Sequence, residues 1–188
     1  MRQAVELENA YRLLNHGPTV LISSAHAGKD NVMAAAWTMP LDFSPPKVAI
    51  VVDRNTYTRE LIEASGEFVI NIPPVNMAPI TLAVGDCCGR DTDKFAQFHL
   101  GKITASQVKA PLVDGCIGWL ECRLIREPHI QQAYDLLLGE VVAAWADDRV
   151  FNHGRWHFSD DALRTLHHVA GGHFLQIGDS LTPDQADR

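Results

Sequence analysis

The chain has 188 residues, 46% of them hydrophobic, enough to bury one substantial core but thin for two. Its formal charge of -7, from 16 Lys and Arg against 23 Asp and Glu, argues against nucleic acid as a partner, because such affinity comes largely from neutralising phosphates. No apolar run reaches the roughly 20 residues of a membrane span, and Met1-Arg2-Gln3 opens no signal peptide, so a cytoplasmic protein with no membrane partner is expected.

In chain order, Val5 to Asn15 spaces Val5, Leu7, Ala10, Tyr11, Leu13 and Leu14 in a partly helical way, and Gly17-Pro18 stops it. Thr19 to Ser24 is an apolar, β-branched strand, joined through Gly28-Lys29-Asp30-Asn31 to a second run, Val32 to Met39. After the turn Asp42-Phe43-Ser44-Pro45-Pro46, Lys47 to Asp53 forms a fully apolar strand. Thr56 to Ser65 reads as a helix, started by Asn55 or Thr56 and ended by Gly66, and Glu67 to Ile72 returns as a strand. Met77 to Val84 and Asp93 to Phe98 read as short helices about the turn-rich loop Gly85 to Asp91. Gly118 to Ile125 and Leu136 to Ala146 are long apolar runs, read as strands. Pro45, Pro73-Pro74, Pro111 and Pro128 separate elements without marking a linker. One domain over 1–178 with a polar tail, 179–188, is expected. Strands at hairpin spacing with short helices between them point to a closed antiparallel barrel with helical decorations.

Chemistry concentrates between Gly17 and Asn71. Asn31-Val32-Met33-Ala34-Ala35-Ala36-Trp37-Thr38 is a run of small residues that lets a flat ligand lie close to backbone. Asp53-Arg54-Asn55-Thr56-Tyr57-Thr58 is a polar turn opening a helix, which suits a phosphate. Together they form a shelf for a phosphorylated aromatic cofactor. The four cysteines, Cys87, Cys88, Cys116 and Cys122, form no CxxC pair, and in a reducing compartment they read as free thiols.

These segments, with Gly17-Pro18-Thr19-Val20-Leu21-Ile22, Ser44-Pro45-Pro46, Gly66 to Pro73, Gly89-Arg90-Asp91-Thr92-Asp93-Lys94-Phe95 and Gly139-Glu140-Val141-Val142, resemble in order and spacing the flavin reductase-like family, and within it the flavoredoxin branch. The resemblance runs from about Leu7 to Gly178. It implies a mainly β chain with helices, an FMN-binding split β-barrel of antiparallel, Greek-key type. It also implies a homodimer with the flavin near the subunit interface. Asn31 and the backbone of Met33, Ala35 and Ala36 would hold the edge of the isoalloxazine ring, with Trp37 flanking it. Arg54, Asn55 and Thr58 would meet the phosphate. Lys94 matches the family's cationic contact to the cofactor, and Phe174, after Gly171-Gly172, would close the pocket. The resemblance implies a flavin reductase moving hydride from NAD(P)H to FMN N5, with the chemistry residing in the flavin; no protein acid or base is assigned.

One departure bears on the donor. Many flavin reductases carry an Asp-His pair just before the strand ending in Gly-Glu-Val, where this chain has Tyr134-Asp135, so a nicotinamide-handling histidine does not carry over. The alternative is a flavoredoxin-type electron-transfer protein, served by a redox partner without direct NAD(P)H use. A third reading is a histidine metal site: His153 and His157 stand at i, i+4, with His167, His168 and His173 nearby. Gly154 interrupts that segment, and no Cys or carboxylate falls at a matching ligand spacing, so no metal is expected.

Overall fold

The computed structural model describes residues 1–182. Of the tail expected from 179 to 188, residues 183–188 lie outside the described residues. The chain begins with a short strand, β1 (Arg2–Ala4), and a helix over Leu7–Leu13, which is 3-10 rather than α. Then come β2 (Val20–His26), β3 (Lys29–Ala35), β4 (Thr38–Phe43) and β5 (Pro46–Val51). Helix α1 (Tyr57–Ser65) leads into β6 (Glu67–Ile72). Helices α2 (Ala78–Gly85) and α3 (Lys94–Gln97) follow, with the small hairpin β7 (Lys102–Ile103) and β8 (Leu112–Val113). The long strands β9 (Gly118–Ile125) and β10 (Leu136–Asp147) flank helix α4 (Pro128–Tyr134). Two further hairpins end the described chain, β11 (Phe151–Asn152) with β12 (Arg155–Trp156), and β13 (Leu166–Ala170) with β14 (His173–Gln176).

The principal sheet is antiparallel and eight-stranded, in the order β3-β2-β6-β9-β10-β5-β4, with β1 also on β10. Its end strands, β3 and β4, do not pair with each other, so the barrel is split rather than closed as the strand spacing alone suggested. The run expected from Val32 to Met39 is likewise two strands: it breaks at Ala36-Trp37, where the chain leaves one sheet edge for the other. β2 beside β6 and β5 beside β10 are the non-local pairings of a Greek-key connection.

The central strands read as near-continuous apolar runs because both faces are covered. In β6, Phe68, Ile70 and Ile72 enter the barrel core with Leu120, Leu137 and Val141, whereas Val69 faces a second cluster under the helices with Leu21, Phe95, Val113 and Trp119. Gly139 makes room for that core: a Cβ there would stand 2.5 Å from the Phe68 ring. The buried Asn71 is satisfied, donating to the Leu21 carbonyl and accepting from the Val113 N–H. Glu121 is also fully buried. Burial alone would raise its pKa, but hydrogen bonds from Ser106, Gln107 and the Trp145 indole hold it below the usual carboxylate range.

Helix α1 follows its sequence signals. Thr56 caps it, its hydroxyl accepting the Arg59 N–H at 3.2 Å, and Gly66 ends it in the left-handed region at φ 74°. Asp93 caps α3 in the same way, through the Ala96 N–H. His153 and His157 do not share a helix face as their spacing would allow, because the chain there is a hairpin with His153 and Gly154 in its turn. No group of three potential metal-ligating side chains occurs among the described residues.

Candidate functional site

The groove is made where the split in the barrel meets the helices. Its larger part, about 490 Å³, has mostly small and apolar walls: Met33 to Trp37 from the end of β3, Val51, and Leu82 and Gly85 of α2. His168, Gly171 and Phe174 of the β13–β14 hairpin form one side. The alanine run keeps long side chains out of that stretch of wall, which leaves room for a planar ring against the backbone. An adjoining part, about 290 Å³, shares Met33, Ala34, Thr56, Gly85 and Asp86 with the first and is the more polar of the two. Asn31, the turn Asn55 to Thr58, the loop Cys87 to Gly89 and Lys94 line it.

This end carries groups that suit an anion, with Asp86 the one carboxylate among its lining residues. Tyr57 and Thr58 form the first turn of α1, where backbone N–H groups have no partner inside the helix and the dipole is positive. Lys94 is only 3% exposed, and its ammonium donates to the Val84 carbonyl at 2.7 Å, with no carboxylate ion pair among the described residues. Burial lowers its pKa, offset in part by the nearby thiols of Cys87 and Cys88. A buried cation without a counter-ion is costly, and a bound phosphate would supply one.

Asn31 donates from Nδ2 to the Thr58 hydroxyl at 2.8 Å, while its Oδ1 is buried without a partner. Gly89 permits that arrangement, since a Cβ there would lie 2.0 Å from Asn31 Oδ1. The fully buried Thr81 on α2, lining the larger part, also has an unpartnered hydroxyl. Orphaned polar atoms at both ends and an unpaired cation at one fit a ligand carrying a polar-edged ring and a phosphate.

The structure brings nine of the ten candidate residues into this groove: Asn31, Met33, Ala35, Ala36, Trp37, Asn55, Thr58, Lys94 and Phe174. Arg54 is elsewhere. Its Nε donates to Asp135 at 3.2 Å and its Nη2 to the Gln132 carbonyl at 2.5 Å, which turns the guanidinium onto the end of α4 and away from the groove lining. The reason is Asp135, a carboxylate that also lies 3.7 Å from the buried Arg59. Arg90 instead braces the turn before α1, lying over the Tyr57 ring and donating to the Asn55 carbonyl and to Glu60. Thr81, Asp86 and His168 line the groove without being singled out by sequence. Thr81 reads as one more residue of an apolar helix, and His168 is hidden among neighbouring histidines.

An open, split antiparallel barrel with a flat apolar slot leading to a cationic helix terminus defines the class of FMN-binding split-barrel flavoproteins. More particularly, this chain belongs to the flavin reductase-like family, whose domain profile, Flavin reductase like domain, matches residues 11–167. It is 51% identical over 181 residues to the uncharacterized protein YddH of Escherichia coli (strain K12), covering 95% of this chain and 96% of that one. It superposes with a TM-score of 0.95 on the FMN-binding domain of a flavin reductases-like enzyme from Shewanella baltica OS155, at 49% identity and 98% coverage of each chain. The flavoredoxin of Desulfovibrio vulgaris (Miyazaki F) shares the fold, with a TM-score of 0.79 at 23% identity over 90% of this chain and 91% of that one.

Proposed function

We propose that the chain is an FMN-dependent oxidoreductase of the flavin reductase type, taking hydride from NADH or NADPH. The observation that carries this reading is the groove itself, with a slot for a flat ring on one side and the unpaired Lys94 beside the α1 terminus on the other. Lys94, Thr58 and the first-turn N–H groups of α1 would hold the phosphate. Asn31 Oδ1 and the Thr81 hydroxyl would take hydrogen bonds they otherwise lack. Trp37 and Phe174 would enclose the ring. Bound FMN would supply the redox chemistry as hydride acceptor, and the residues named here would bind and orient it. No helix among the described residues is long and apolar enough to cross a membrane, and a cytoplasmic site of action fits that.

A homodimer completes the reading. Met39, Leu41 and Phe43 alternate along β4, Trp37 stands just before it, and all four are exposed, between 46% and 73%. Among the described residues β4 pairs only with β5, so it is a sheet edge with an apolar face continuous with the groove through Trp37. A second copy of the chain would cover this face and wall the flavin slot.

One observation favours electron transfer from a redox partner instead. Asp135 is held by Arg54 and Arg59, and the only histidine of α4, His129, packs on Tyr134 at 6.5 Å and lines neither part of the groove. Anaerobic mixing of the FMN-loaded protein with NADH or NADPH separates the two. Bleaching of the flavin bands is the expected result, whereas bleaching by a chemical reductant alone means the electron-transfer role. A colourless protein that takes up no added FMN overturns both.

A further inference from the structure

A second cavity, about 410 Å³, shares no lining residue with the flavin groove. It lies between the N-terminal 3-10 helix and the β11–β12 hairpin, and Arg12, Asn15, His16, Arg155 and Trp156 line it. In a chain of net charge -7 this lining contains no carboxylate. Neither Arg12 nor Arg155 makes an ion pair among the described residues.

Of the two guanidiniums, that of Arg12 is held in place. Arg12 donates from Nε to the Tyr11 hydroxyl at 3.1 Å and from Nη1 to the Gly154 carbonyl at 3.3 Å, leaving Nη2 to spare. Gly154, at φ +69°, is what admits it, since a Cβ there would stand 2.6 Å from Arg12 Nη1. The Trp156 indole donates to the Arg12 carbonyl at 3.1 Å, tying the hairpin to the helix and setting Arg155 beside it on β12. Arg155 is exposed and makes no hydrogen bond through its side chain among the described residues. His16 is anchored through Nε2 to the Thr165 hydroxyl at 3.0 Å, while its Nδ1 is buried without a partner. Two guanidiniums lacking carboxylates beside an aromatic wall form a set that an oxyanion satisfies, because the guanidinium fork matches two oxygens on one centre.

We propose that this cavity is a second ligand site for a small organic oxyanion, a carboxylate or a phosphate ester, held by Arg12 and Arg155 against Trp156 and separate from the flavin. The site does not depend on the redox reading of the groove. It is tested on the FMN-loaded, ¹⁵N-labelled protein by following the indole N–H signals of its 4 Trp residues, with Trp156 assigned by the loss of its signal in Trp156→Phe. Benzoate, phenyl phosphate and the neutral benzamide are titrated in turn. A saturable shift of the Trp156 signal with benzoate or phenyl phosphate, and none with benzamide, is expected, and whichever anion binds tighter identifies the oxyanion. Arg155→Gln, which removes one charge-assisted contact from an exposed side chain, should weaken binding about tenfold while leaving the flavin spectrum as it was. The proposal is overturned if neither anion moves the signal, if benzamide moves it equally, if Trp37 responds in place of Trp156, or if Arg155→Gln binds as tightly as wild type.

Discussion

Lys94 and Arg54 show how differently two basic residues on one shelf can behave. Both stand in polar segments of a matching family pattern, but only Lys94 is buried on the groove, and Arg54 is taken by Asp135. Sequence spacing gave both positions the same promise, because the carboxylate that captures Arg54 comes from 81 residues further along the chain. Lys94→Met should therefore raise the FMN dissociation constant about tenfold or more, the equivalent of one charge-assisted hydrogen bond, and leave riboflavin, which lacks the phosphate, nearly unchanged. The same substitution should raise the melting temperature of the flavin-free protein, since it removes a buried cation with no counter-ion. Arg54→Ala should change both flavin affinities by no more than about twofold, in keeping with an exposed side chain off the site. Fluorescence titration of both variants with both flavins checks the set. A selective loss of FMN in Arg54→Ala would return the phosphate to that guanidinium.

Elements with strong local signals were legible from the sequence, and those set by distant contacts were not. α1 has a capping threonine and a terminal glycine, and β6 and β9 are apolar runs, so their bounds follow from composition. Helix α4 was missed because Pro128 reads as a break, although a proline is at home in a first helical turn. The β13–β14 hairpin, which brings His168 and Phe174 to the groove, was invisible as structure, and only the family pattern pointed to Phe174. Its attachment to the N-terminal segment yields a measurable effect. His16 is packed against His167 and hydrogen-bonded to Thr165, and burial first, then the charge of His167, lowers its pKa from 6.5 to about 4. Between those values the unfolded chain binds a proton that the folded chain does not, so stability is full above pH 6.5 and falls as the pH drops toward 4. The loss from this one group is on the order of 3 kcal/mol. His167, lowered mainly by burial, acts in the same direction. Denaturant unfolding at pH 7.5 and pH 4.5 should show a clearly smaller loss for His16→Gln than for wild type; equal losses would mean that His16 is charged in the folded protein.

At the scale of the whole molecule, the split in the barrel is what links the fold to the groove. A closed barrel would have buried both edges; here β3 ends in the groove wall, and β4 leaves it with an edge unpaired among the described residues and an exposed apolar face. Pro40, in the middle of β4, has no N–H to offer an incoming strand, so a partner would meet this strand through side chains more than through a continued ladder. Trp37 belongs to both surfaces, so on the proposed reading a partner seated on β4 would also touch the groove. Leu41→Glu places a charge at the centre of the face, at a position that lines neither part of the groove. It should convert a dimer to a monomer in sedimentation equilibrium, because a carboxylate would have to be buried unpaired in the joined face. If the second copy completes the slot, that monomer should also hold FMN and riboflavin more weakly by the same factor, about tenfold or more for 1.4 kcal/mol or more of lost ring contact. A variant that stays dimeric would move the interface off β4. One that becomes monomeric yet binds both flavins as wild type would show that a single chain builds the whole site.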